Sequence, residues 1–462
     1  MTQANLDKGD SAGASAVAQN TESAPNASDL SKAAAAAEAT TPLDSSLSAY
    51  FRTWTQRIRG GDIGSLPAIG GLIVLVILFG LLQSSFRTLG SLVNIANLSS
   101  YTIILAMGLV FVLLLGEIDL AAGTAAGVCA AIMARLLVGY GSPWPVAILA
   151  AVVAGLLIGL LTGALVAKLR IPSFVVTLAL FLAYQGVTLI VVNNFKGQTG
   201  NLTISNAFVA NLVGGQMKPV LGWVMAVIVV AGYAAVKVLD SGRRRKAGLL
   251  AEPVSLVAIK IAAMAVLFIV MVSLFNINRA LNTGGVVIRG VRQEPQALEG
   301  VPWLVPIIIF FVVLWTLVLS RTRYGRHVYA VGGNAEAARR AGIPVDRIRI
   351  SVFVISSFMA AIAGVLLASY TDGFDASIGG RNTLLLAVGA AVIGGTSLFG
   401  GKGRPLDAVI GGLVLAVITY GMSNLVKGVN GSAVQLIITG AVLILAAAVD
   451  ALARRRAGSR GL

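Results

Sequence analysis

Few residues in this chain have the types and spacing needed for chemistry. His327 is the one histidine and Cys129 the one cysteine, so neither a His-based metal site nor an internal disulfide can be built. Cys129 lies in an apolar run and reads as a small inert side chain. The nearest thing to a nucleotide-binding loop is the Gly-rich run from Gly394 to Gly403. A phosphate loop needs Gly five positions before the Gly that precedes Lys, and Ser or Thr after the Lys. Those positions are Thr396 and Gly403, so the match fails twice and the run reads as a tight turn. No apolar segment carries paired carboxylates, a His-rich patch or a supported nucleophile, which argues against an enzyme. No catalytic residue, metal ligand or cofactor site is assigned to this chain.

Binding chemistry is better represented. A neutral polar solute needs hydrogen-bonding groups and aromatic faces in place of charges. Phe181, Tyr184 and Gln185 offer that mixture within about one helical turn, and Asn193 and Asn194 follow at the end of the same run. Ordinary packing between helices, with an aromatic belt, is the simpler explanation of the same residues. Glu117 and Asp119 sit at the edge of an apolar run, where acids are costly and mark function. Asp119 equally suits a cap for the segment 118–138. Between Arg321 and Ile350 lies a capped segment. Asn334 is a good N-cap, Gly342 a good C′ residue and Pro344 a stop, which predicts a two-turn helix from Ala335 to Ala341. Glu336 suits its start, and Arg339 and Arg340 its end. So short a helix needs neighbours, which suggests docking against a partner; a solvated basic loop that happens to be capped is the alternative.

The elements that position these groups are membrane spans. Of 462 residues, 57% are hydrophobic and 12% charged, and the mean hydropathy is +0.87. Too few polar residues remain to cover a water-soluble core. A span needs roughly 20 apolar residues. The candidates are 67–83, 93–116, 118–138, 144–167, 173–192, 220–238, 254–275, 303–319, 350–370, 382–400, 405–424 and 432–450, an all-α protein with about 10–12 transmembrane helices. The Gly-rich run 382–400 reads as broken or re-entrant. Gly155, Gly159 and Gly163 form one smooth ridge for close helix packing.

Residues 1–46 are poor in large apolar side chains and read as a disordered tail, without the basic start and apolar stretch of a signal peptide. The stretch around Trp54 reads as a short interfacial helix whose arginines meet lipid headgroups. The net charge of +16 does not describe a nucleic-acid groove. The tail is acidic, and 23 of the 33 later Lys and Arg residues fall on one side of the predicted spans against nine on the other, with Lys260 inside a span. This asymmetry places both termini in the cytoplasm and lets Lys260 snorkel to that face.

Several motifs, in order, resemble the permeases of sugar ABC importers of the ribose and xylose class. Gly116-Glu117-Ile118-Asp119-Leu120, Ile171-Pro172-Ser173, the Gly325–Pro344 loop and Ala391–Gly401 carry the resemblance. It covers the chain from about residue 65 to the end. The Arg243–Leu249 insertion and the span after it are most similar to the D-xylose-type subgroup, although Ala121-Ala122 stands where that family usually has Ser-Val.

The resemblance implies that residues 47–462 form a permease domain in the bacterial inner membrane, with 321–350 as its cytoplasmic coupling loop. Gly333, Asn334, Glu336, Ala337, Arg339, Arg340 and Gly342 would then dock on an ATPase subunit that binds ATP and Mg. Two permease copies would form the pathway, and a periplasmic or lipid-anchored binding protein would deliver a monosaccharide, D-xylose or a related pentose. Arg279, Arg289, Arg292 and Arg381 lie in loops placed outside, where charges would steer and orient that protein; contact with anionic lipid headgroups or nearby acids is the alternative. The rival class, a secondary transporter, needs ionisable groups deep in its spans, and the acids here cluster at the edges.

Overall fold

The computed structural model describes residues 64–193, 201–248, 252–279, 286–288, 291–293, 298–375, 380–426, 433–445 and 448. The expected tail and the interfacial segment around Trp54 lie outside them. The described chain is all-α apart from two short antiparallel strand pairs. Among the described residues nine helices are long and apolar enough to cross a membrane, and three more are apolar but shorter. Together they match the twelve predicted segments one for one.

The chain enters through α1 (Leu66–Leu82) and α2 (Leu89–Leu114), the latter capped by Thr88, whose hydroxyl accepts from the Ser91 amide. A loop of seven residues leads to α3 (Ala122–Ala134), which continues through a π-turn to Gly139. Helices α4 (Trp144–Lys168) and α5 (Ser173–Asn193) follow. At one end, strand β1 (Asn201–Thr203) and the short helix α6 (Ala207–Gly214) cover the bundle. An antiparallel pair, α7 (Pro219–Lys246) and α8 (Val254–Asn276), stands at the side. Strands β2 (Val286–Ile288) and β3 (Val291–Gln293) form a hairpin before α9 (Leu304–Arg321). Then come α10 (Arg323–Gly333), α11 (Ala335–Arg340) and the long α12 (Val345–Tyr370). Strand β4 (Gly373–Asp375) pairs with β1, and α13 (Arg381–Gly394), α14 (Pro405–Leu425) and α15 (Ala433–Leu445) complete the bundle.

The core is built around α2 and α12. From Ser99 to Leu114 every residue of α2 is buried. Helix α12 lies against α2, α3 and α4. The predicted glycine ridge of α4 faces α12: a Cβ at Gly159 would fall 2.6 Å from the Phe353 carbonyl oxygen and 2.6 Å from Val354 Cα. Backbone therefore meets backbone, the close approach that small residues allow between helices in lipid.

The expected break near 382–400 takes a definite form. Helix α13 stops at Gly394, because Gly395, Gly400 and Gly401 have φ of 121°, 85° and 75°, a region that favours glycine and ends the helix. Thr396 and Asp407 pin the turn: the Thr396 hydroxyl (3.2 Å) and the Arg404 amide (2.8 Å) both donate to Asp407 Oδ2. Lys260, predicted to snorkel out of its span, reaches Glu252 at 2.9 Å.

Candidate functional site

The four motif segments meet at one end of the bundle, around the loop Leu115–Ala121 between α2 and α3. The Ile118 amide donates to Ser173 Oγ at 3.2 Å, and Thr177 Oγ1 donates to the Ile118 carbonyl at 3.2 Å, so the start of α5 is fastened to this loop. The Gly401 amide donates to the Leu114 carbonyl at 2.8 Å, which brings in the Gly-rich turn after α13. Gly332 of α10 packs on the same carbonyl so closely that any side chain there would collide with it. Tyr329, also on α10, donates to the Gly403 carbonyl at 2.8 Å.

Both acids of the loop engage α12. Glu117 pairs with Arg349 at 3.1 Å. Asp119 is 3% exposed; its carboxylate accepts from Ser356 Oγ at 3.0 Å and from the Ala121 amide at 3.0 Å. Burial pushes its carboxyl up to about 6, partly offset by the Ser356 hydroxyl and the amides of Ala121 and Ala122. Helix α3 begins at Ala122, so Asp119 fixes the turn ahead of the helix and does not occupy the N-cap position itself.

The capped segment folds as two helices where one was expected. Thr322 caps α10, its hydroxyl accepting from the Gly325 amide at 3.1 Å. Asn334 caps α11, its side chain accepting from the Ala337 amide at 2.9 Å. The end of α11 closes as the residues require. Gly342 has φ of 81°, the Gly342 amide donates to the Arg339 carbonyl, and the Ile343 amide donates to the Ala338 carbonyl, both at 3.0 Å. Glu336 pairs with Arg339 (3.0 Å) and Arg340 (3.3 Å) on the surface.

Val328, Val331 and Ala338 anchor the two helices in the core, and Tyr324 bonds Ser351 of α12 at 2.9 Å. Burial raises the Tyr324 hydroxyl to about 12, so it stays protonated. Gly333, Asn334, Glu336, Ala337, Arg339, Arg340 and Gly342 are all exposed. The arrangement is a rigidly seated platform whose outer side exposes charged and small residues.

The residues proposed for solute contact are less concentrated. Tyr184 is buried on the inner stripe of α5, with Val176, Thr177 and Thr188. Its hydroxyl faces Thr162 of α4 without a well-formed hydrogen bond. Phe181 and Gln185 are half-buried beside it, and Asn193 is exposed at the end of α5. A small cleft that the motif reading missed lies between α2, α13 and α14, with Tyr101, Thr102 and Thr419 as its polar groups. Single polar residues on otherwise apolar spans leave no pattern in one sequence from which such a cleft could be read.

Three of the four arginines proposed for docking lie at the opposite end. Arg279 directs its guanidinium inward to Gln216 and to the carbonyls of Phe275 and Gly300. Arg292 sits in β3 opposite Val287, and Arg381 is the first residue of α13. Arg289 lies outside the described residues. Among the described residues no group of His, Cys, Asp or Glu is arranged to hold a metal ion.

Residues 91–447 match the family model described as branched-chain amino acid transport system / permease component. The chain belongs to this permease family. It is 32% identical to the xylose transport system permease protein of Haemophilus influenzae over 77% of this chain and 88% of the relative. It is 32% identical to the xylose transport system permease protein of Escherichia coli strain K12, over 79% of this chain and 86% of the relative. The ribose import permease protein of the same strain is 29% identical over 82% of this chain and 91% of its own length. No solved structure matches. The family and the fold together make this a multi-pass membrane permease and not an enzyme.

Proposed function

We propose that the chain is the permease subunit of an ATP-driven importer that moves a monosaccharide, D-xylose or a related pentose, across the bacterial inner membrane. One observation carries this reading: the motif segments converge on one end of the bundle, where α10 and α11 present an anchored, exposed platform. That end bears Lys168, Arg243, Arg244, Arg245, Lys246, Arg323, Arg326, Lys402 and Arg404, and the preference of cytoplasmic loops for Lys and Arg supports a cytoplasmic position for it. If the three shorter apolar helices also cross, the even number of crossings keeps both termini on that side. ATP and Mg belong to a separate ATPase subunit, which sits on the platform. Two copies of the permease enclose the path, and a periplasmic or lipid-anchored binding protein supplies the sugar from the opposite end. The sugar is read from the relatives, whose names are those of xylose and ribose permeases.

The test is uptake by the complete complex in proteoliposomes, offered a panel of pentoses and hexoses. The reading expects uptake that needs ATP and the binding protein, strongest for D-xylose or another pentose. Uptake driven by a proton or sodium gradient without ATP would overturn it in favour of a secondary transporter.

A further inference from the structure

Glu117 and Asp119 are tied to α12 at two points that share a face. Arg349 and Ser356 are seven residues apart, two turns of helix, so both point to the same side of α12. The loop that carries the acids is the seven-residue link Leu115–Ala121, and it opens directly into the buried helix α3. At its other end, α12 begins five residues after Arg340, the last residue of α11, and the link is the closed turn Ala341–Pro344. Behind α12 there is no slack: the glycines of α4 meet its backbone, and Gly108 of α2 lies against Ser356 and Met359. A displacement of α11 therefore cannot be absorbed by local repacking, since close-packed interfaces move as units.

We propose that Glu117 and Asp119 are positioning residues that transmit movement of the α10–α11 platform through α12 to the α2–α3 loop, and so couple ATP hydrolysis to opening of the sugar path. This rests on the reading of the chain as an ATP-driven permease. The two links divide the task. The Glu117–Arg349 ion pair lies at the platform end and is only partly buried, its arginine side chain 28% exposed, where it can break and reform. The Asp119–Ser356 bond lies two turns further in, fully buried, where it holds the start of α3 in register with α12. A pair of purely structural fasteners would secure the fold without affecting how much sugar moves per nucleotide.

The experiment uses the reconstituted complex of permease, ATPase and binding protein, with D-xylose and ribose as the sugars. Sugar moved per ATP hydrolysed is measured for wild type, Glu117→Gln, Arg349→Gln, Ser356→Ala and the exchanged pair Glu117→Arg with Arg349→Glu. The single variants are expected to assemble at wild-type levels and to hydrolyse ATP, yet to move about fivefold less sugar per ATP or worse, the scale of an ordinary coupling free energy. The exchanged pair should recover most of the ratio. Wild-type ratios in the single variants, or losses of transport and hydrolysis in proportion to lost assembly, would overturn the proposal. Because Glu117 and Arg349 are partly exposed, their variants keep the test valid if Ser356→Ala fails to assemble. Should wild type itself show no ATP-dependent uptake, the underlying functional reading fails, which is a distinct outcome.

Discussion

The most apolar stretches of helices α2 and α7 have nearly the same mean hydropathy, 2.0 and 2.1, yet 89% of that of α2 is buried in the protein and only 11% of that of α7. In a membrane both environments are apolar, so hydropathy says that a segment leaves water and not whether it meets lipid or protein. What separates the two helices is the rest of their composition and their ends. Helix α2 carries Ser99, Ser100, Thr102 and Gly108 among its apolar residues, and it ends in the loop where the motifs meet. Helix α7 carries large apolar residues on exposed faces and finishes on Arg243-Arg244-Arg245-Lys246. Its attachments at that end are surface ion pairs, Asp240 with Arg244 and Arg321, and Glu252 with Lys237 and Lys260. The central helices are specified by shape, and the lateral pair by length and charge.

The sharpest way to break this comparison is to add bulk to a glycine in each region. Gly159→Leu should force α4 and α12 apart, costing about 3 kcal/mol or more, and should be read as loss of monodisperse protein in detergent. Gly232→Leu in α7 meets open space and should leave stability and yield unchanged. Equal effects at the two positions would mean that α7 is also packed in the working protein.

A second test separates the platform from the core that holds it. Ala338→Pro removes the amide that donates to Asn334 and costs the helix about 3 kcal/mol. Transport is expected to be lost while the permease still reaches the membrane and melts within a few degrees of wild type. Unchanged sugar-stimulated ATP hydrolysis in this variant would remove α11 from the docking surface.

Smaller effects belong to the far end and the lateral pair. Arg279→Ala deprives Gln216 and two carbonyls of their donor and should lower stability by about 2 kcal/mol, a charged hydrogen-bond cluster being worth that much. Binding-protein association and its salt dependence, measured on the same variant, should change little if the guanidinium is spent inside the chain, and fall steeply if it docks the partner. Glu252→Gln should shift the melting point least of all, because ion pairs near water contribute at most about 1 kcal/mol. A large loss there would show that the α7–α8 pair depends on its charged end.

Much of this architecture is legible in the residues. The apolar segments, the ridge of Gly155, Gly159 and Gly163, and the caps Asn334 and Gly342 are local features with local causes, and each corresponds to what the structure contains. The expected helix to Ala341 ends one residue earlier, with Ala341 as its cap. Other features depend on partners distant in the chain. Helix α10 was hidden because Arg323, Arg326 and His327 make its segment look like a solvated loop, and only the burial of Val328 and Val331 against the core makes it a helix. Asp119 finds Ser356 across 237 residues, and Arg279 finds Gln216 across 63. No spacing rule announces either pair.

The central claim, that α10 and α11 form the docking platform for a cytoplasmic ATPase, is tested most directly by site-specific cross-linking in the assembled complex. Cys129 is buried, so a cysteine introduced at exposed Arg339 is the reactive thiol, with Ser205 at the opposite end as control. The account predicts that a short thiol-reactive cross-linker joins position 339 to the ATPase subunit and that position 205 gives no such product. Cross-linking of the ATPase from position 205, or its absence from position 339 in a complex that transports sugar, would contradict it.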